Sequence, residues 1–157
     1  PRSDRLAQIT LDDSLAQAAS ADIAHEREVA IYDLLSDNQF AVDGNPGPYR
    51  LHLMLVENRL VFDLTGGQEG ARVTFMLSLT PFRRILRDYF AICENYYAAI
   101  KTAPPSRIEA IDMGRRGLHD EGSRVLQERL AGKAVMDFKT ARRLFTLICA
   151  LHRRPGS

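Results

Sequence analysis

A chain of 157 residues, 45% hydrophobic and 26% charged, is long enough for one buried core and short for two. No apolar run approaches the roughly 20 residues that span a bilayer, and no charged-then-apolar leader precedes Ile9, so residues 1–157 read as one cytoplasmic domain. The two cysteines, Cys93 and Cys149, form neither a CxxC pair nor a disulfide framework, which argues for reduced thiols.

Net charge is only +1, but it is unevenly distributed. Residues 1–82 carry 6 Arg against 12 acids, whereas residues 83–157 carry 15 Lys or Arg against 8 acids. Eighteen of the 21 basic residues are Arg, whose planar fork suits carboxylates and phosphates. Such an asymmetry fits either an anion or nucleic-acid surface on the C-terminal half or two halves that neutralise each other when packed.

In chain order, Arg5 to Leu11 reads as a short strand with Ala7, Ile9 and Leu11 on one side. A helix is predicted from Asp22 to Ser36, capped by Ser20 or Asp22, with Ile23, Ala30, Ile31 and Leu34 as its apolar stripe. Residues 43–48 hold two glycines and two prolines and form a loop. Leu51, Leu53 and Leu55 then alternate with polar or flexible neighbours, Glu57-Asn58 turns the chain into Leu60, Phe62 and Leu64, and a second turn at 65–70 leads to Val73, Phe75, Leu77 and Leu79. Three strands on short connections predict an antiparallel meander with one buried face.

At Thr80-Pro81 the apolar period changes from 2 to 3.6, with threonine placed as N-cap and proline at the first helical position. Residues from Phe82 to Ile100, including Tyr89, Cys93, Tyr96 and Tyr97, fill half the wheel of a long amphipathic helix, and this helix is expected to cover the sheet. Pro104-Pro105 ends it. Ser106-Arg107-Ile108-Glu109 matches a capping box for a further helix to about Ala131, and Asp137 caps a last one from Phe138 to His152. Residues 153–157 read as a frayed end. The predicted fold class is α+β: a small antiparallel β-meander packed against a long amphipathic helix, with three further helices.

Chemical motifs are sparse. His25-Glu26-Arg27-Glu28-Val29 begins like HExxH but lacks its second histidine, and there is no phosphate loop, GxGxxG or GxSxG. The four histidines are too scattered to argue for a metal, and no cofactor is expected. Residues 112–123 differ, because Gly114, Gly117 and Gly122 interrupt a helical pattern at roughly 0.5–1 kcal/mol each. Around them Asp112, Arg115, Arg116, His119 and Ser123 cluster beside the apolar arc, and Arg142 and Arg143 on the last helix can join them. Two readings follow. In one, the glycines permit close approach while Arg115, Arg116 and His119 bind an anion; in the other, Gly114 and Gly122 mark a tight helix crossing with Arg115 paired to an acid from the N-terminal half.

The strings His25-Glu26-Arg27, Pro48-Tyr49-Arg50-Leu51, Leu79-Thr80-Pro81-Phe82-Arg83-Arg84, residues 110–119 and Thr140-Ala141-Arg142-Arg143-Leu144-Phe145 resemble a family of small bacterial proteins, uncharacterised protein family 0262, over about Asp4 to His152. That resemblance implies membership without an activity, a cofactor or a catalytic residue. The residues themselves lead to a binding or regulatory module that recognises an anionic group on a protein, a metabolite or a nucleic acid. Its candidate ligand-binding residues are Asp112, Arg115, Arg116, His119, Ser123 and Arg142. One alternative is a metal-independent hydrolase or phosphate-handling enzyme using His119. Another is a structural or homo-oligomeric protein. The candidate partners are a phosphate-bearing ligand, a protein or RNA.

Overall fold

A computed structural model describes residues 3–18 and 20–153 of the chain. Its order is β1 (Leu6–Leu11), α1 (Asp13–Ala16), α2 (Ala21–Ser36), β2 (Phe40–Ala41), β3 (Tyr49–Val56), β4 (Arg59–Gly66), β5 (Ala71–Ser78), α3 (Arg83–Thr102), α4 (Pro105–Leu130), β6 (Val135–Met136) and α5 (Phe138–His152). The class is α+β, as the hydrophobic periods require.

The meander forms as expected. Strands β3, β4 and β5 pair antiparallel, with Leu53, Phe62 and Phe75 in one cross-strand row and Leu51, Leu64 and Val73 in the next. Phe62 and Phe75 stack at 5.1 Å. The sheet nevertheless has four strands, because β1 pairs parallel to β3 at its edge. A parallel neighbour needs a crossover, and α1 and α2 supply it. Within β1 the register shifts between Leu6 and Gln8, so Leu6 and Ile9 turn inward and Ala7 is exposed, where simple alternation had placed Ala7 inside. A small antiparallel ladder, Phe40 opposite Met136, joins β2 to β6 and escaped the sequence reading because two-residue strands carry no period.

The helix ends show which caps form. Ser20 Oγ accepts from the Ile23 amide and Asp137 accepts from the Thr140 amide, as predicted. Thr80 instead opens a single 3-10 turn over Thr80–Phe82, and Pro105 at the first turn of α4 replaces the expected capping box.

The central helix is α5, not α3. Nine of its residues are buried, including Leu144, Phe145, Leu147 and Ile148, whereas α3 buries only Ile85, Leu86 and Ala99 and leaves Tyr97 52% exposed. The wide apolar arc of α3 is shared between α4 and a groove beside α5, so its distal turns never reach the sheet. Helix α5 packs between α2 and α4, and α3 packs on α4. One core unites the inner sheet face with Phe82, Leu126 and α5.

Arg27 pins this arrangement. It is 8% exposed and donates to the carbonyls of Leu15, Gln17, Ala150 and Leu151, joining the chain before α2 to the end of α5. At the end of α5 the Ala150 carbonyl also takes the Arg153 amide at 3.4 Å, and a cation suits that negative end of the helix. The expected tail at residues 154–157 lies outside the described residues.

Candidate functional site

The glycine-interrupted stretch lies inside α4, and each glycine has its own surroundings. A Cβ on Gly122 would lie 2.2 Å from Phe145 Cζ, and one on Gly114 would lie 2.8 Å from Ile92 Cδ1; nothing lies within 4 Å of one on Gly117. The tight crossing is therefore real at Gly122 against α5 and at Gly114 against α3. Arg115, however, does not reach an acid from the N-terminal half. It bonds to Asp112 Oδ1 through Nε at 3.0 Å and lies 4.6 Å over the Tyr96 ring, while Arg116 meets Asp112 Oδ2 at 3.2 Å. The guanidinium of Arg115 holds the Asp112 carboxyl below its ordinary range. Ser123 is fully buried and donates to the His119 carbonyl, so it lines no cavity.

His119 turns away from Arg116 toward α5. Its ring sits 5.1 Å from Phe145 and 5.6 Å from Tyr89, and its Nε2 lies 2.8 Å from Thr146 Oγ1. Thr146 spends its hydroxyl proton on the Arg142 carbonyl at 3.0 Å, so Nε2 carries the hydrogen and donates. Nδ1 is then a bare, buried acceptor with no hydrogen-bond partner among the described residues. Burial, reinforced by Arg142, pulls the imidazole down to about 4. His119 is neutral at pH 7.

Two cavities of about 260 Å³ each meet at Thr146. The first is lined by His119, Lys139, Arg142, Arg143 and Thr146. Lys139 and Arg143 share Asp37, at 2.8 and 3.8 Å, and Arg142 faces Asp120 at 3.3 Å. Asp120 Oδ1 is buried and makes no aligned hydrogen bond, so that contact is an ion pair only. Three cations thus share two carboxylates in the first half of α5. The second cavity lies between α2 and α3 on a floor of α5; Glu26, Tyr89, Cys93, Tyr97, Arg115 and Cys149 border it. Burial raises the Tyr89 hydroxyl and both thiols, keeping them protonated.

Of the residues singled out from sequence, the structure brings only His119 and Arg142 into one concavity; Arg115 borders the other, and Asp112 and Arg116 form a pair outside both. Lys139, Arg143 and Thr146 were not chosen, although their spacing i, i+4 and i+7, with Arg142 at i+3, marks one face of α5. Arg143, which the sequence offered as an addition to the α4 cluster, lines this concavity beside Lys139. The tyrosines also divide differently: Tyr96 is half-buried under Arg115, but Tyr97 lines the groove instead of the core.

Comparison with known proteins bears on this pattern. The model of the Uncharacterised protein family (UPF0262) matches residues 3–154. The chain belongs to that family. A UPF0262 protein of Xanthobacter autotrophicus is 60% identical over 152 residues, covering 96% of this chain and 93% of its own. One of Azorhizobium caulinodans is 58% identical over 156 residues, covering 97% and 96%, and one of Rhodopseudomonas palustris is 57% identical over 151, covering 96% and 93%. No solved structure matches the chain. UPF0262 membership accounts for the motif strings without assigning a ligand. Among the described residues of this UPF0262 chain, no helix is long and apolar enough to cross a membrane, and no three His, Cys, Asp or Glu side chains group to hold a metal ion.

Proposed function

We propose that this protein is a cytoplasmic binding or regulatory module for a phosphate-bearing ligand, seated on the first half of α5. The observation that carries the reading is the concavity in which Lys139, Arg142 and Arg143 converge with, among the described residues, Asp37 and Asp120 paired to them. An incoming phosphate relieves the repulsion among those cations and accepts charge-assisted hydrogen bonds from them. A hydrolytic role for His119 has less support, since an imidazole near pKa 4 is a weak base at neutral pH and its Nε2 is engaged by Thr146.

The test is an amide-resolved NMR titration with inorganic phosphate at low ionic strength. Saturable shifts at residues 139–146, weakened at least tenfold in R142Q/R143Q and screened by added salt, are expected. Shifts absent from that segment would remove the proposal.

A further inference from the structure

Resting on the anion-binding reading, we propose that the groove along α5 takes an organic phosphate with a planar aromatic body: the phosphate against Lys139, Arg142 and Arg143, the ring beyond Thr146 between Tyr89 and Tyr97. The two cavities are not independent dents. Lys139, Arg142, Arg143, Thr146, Cys149, Ala150 and the C-cap Arg153 recur at i, i+3, i+4, i+7, i+10, i+11 and i+14, a single stripe of α5. The first four line one cavity and the last four line the other, with Thr146 in both. Thr146 is exposed, so nothing roofs the junction.

The two ends select opposite chemistry. At the start of the stripe every ionisable lining side chain apart from the neutral His119 is a cation. At its far end the walls are Tyr89, Phe90 and Tyr97 with Val29 opposite and the protonated thiols of Cys93 and Cys149, while the charged lining groups are Glu26 and Asp33 with Arg115 and Arg153, whose guanidiniums already hold Asp112 and Glu26. An apolar body finds little apolar wall at the first end, and a phosphate at the second would face Glu26 and Asp33 with both guanidiniums already paired. Arg143 and Cys149 are six residues apart, about 9 Å along the helix axis, so a phosphate at one and a ring near the other call for a short linker such as a sugar. Tyr97, half-exposed beside the cavity, is a stacking surface that no intramolecular ring covers except the edge of Tyr96.

The probes are inorganic phosphate, butyl phosphate, adenosine 5′-monophosphate and adenosine, each titrated by calorimetry, with iodoacetamide alkylation of Cys93 as a second readout. Adenosine monophosphate is expected to bind at least tenfold tighter than phosphate or adenosine and to slow alkylation of Cys93, which phosphate alone does not. Tyr97→Ala, at a half-exposed position that the fold does not need, is expected to reduce that advantage below threefold and leave phosphate binding unchanged. Equal affinity for phosphate and adenosine monophosphate, with Cys93 unprotected, overturns the inference and leaves the anion site standing. Butyl phosphate matching adenosine monophosphate overturns the aromatic body. Failure of every phosphate to bind overturns both.

Discussion

Alanine placed at the three glycines of α4 separates packing from propensity within one helix. At Gly122 the new Cβ would meet Phe145 Cζ at 2.2 Å and Cε1 at 2.5 Å. The ring cannot retreat, because Phe145 has no solvent exposure and is boxed by Phe82, Tyr89 and His119. A contact this short against a ring that cannot move puts the overpacking cost at the upper end of the usual range, about 3 kcal/mol, and the better helix propensity of alanine returns about 1 kcal/mol, so Gly122→Ala is expected to lose about 2 kcal/mol net. At Gly117 no atom lies within 4 Å, and Gly117→Ala should gain about 1 kcal/mol. Gly114→Ala meets only the terminal methyl of Ile92, which can swing aside, and should be near neutral. For a domain of this size a spread of about 3 kcal/mol separates the extreme variants by roughly 6–12 °C in melting temperature. Calorimetry of the three variants reads it directly. A Gly122→Ala protein as stable as Gly117→Ala would refute the close approach of α4 to α5.

Other expectations concern the buried polar groups. Because His119 is neutral in the fold down to about pH 4 and ordinary when unfolded, the unfolded chain binds the extra proton between about 6.5 and 4; stability should therefore fall as pH drops through that window. The full effect is bounded near 3 kcal/mol and solvent screening brings it to about 2, measured as urea midpoints at pH 7 and 4.5, with the dependence diminished in His119→Gln. Arg27→Met leaves the carbonyls of Leu15, Gln17, Ala150 and Leu151 without their side-chain donor and should cost about 2–4 kcal/mol in chemical denaturation, with Arg27→Lys recovering only part. Tyr49→Phe removes a hydroxyl that accepts from the Val42 amide at 2.9 Å and donates to Asn45, so amide exchange at Val42 should accelerate and stability fall by about 1–3 kcal/mol.

Period and punctuation made most of the elements legible. Alternation from Leu51 to Leu79 located three strands to within a residue or two, and Ser20 and Asp137 marked helix starts, whereas Pro104-Pro105 read only as the end of one helix and also opens the next. Pairing was another matter. Nothing in Arg5 to Leu11 says that it will lie parallel to β3, because that depends on a crossover of 37 residues, 12–48. Burial was misjudged for a related reason. The apolar arc of α3 is as wide as that of a core helix, yet half of it lines a groove, and a wheel cannot distinguish a wall facing a cavity from one facing a neighbour. The candidate site was half visible: Arg115 and His119 drew notice by lying beside apolar positions, but they diverge to different cavities, since one pairs locally with Asp112 and the other packs on Phe145. Arg142 and Arg143 stood out only as additions to the α4 cluster and Lys139 and Thr146 not at all, and only the flanking α4 gives that face depth.

The placement of α5 also sets an order of events. The segment that every larger layer needs for its own burial is encoded after them, and Arg27 waits for carbonyls more than 120 residues downstream. Until residues 138–152 have been synthesised, the earlier sheet and helices have no centre to close upon, so a nascent chain stalled before that point exposes its greasy surfaces to chaperones or to its neighbours. Maturation is thereby all-or-none, and truncation inside the last helix should yield an insoluble polypeptide instead of a weakened one.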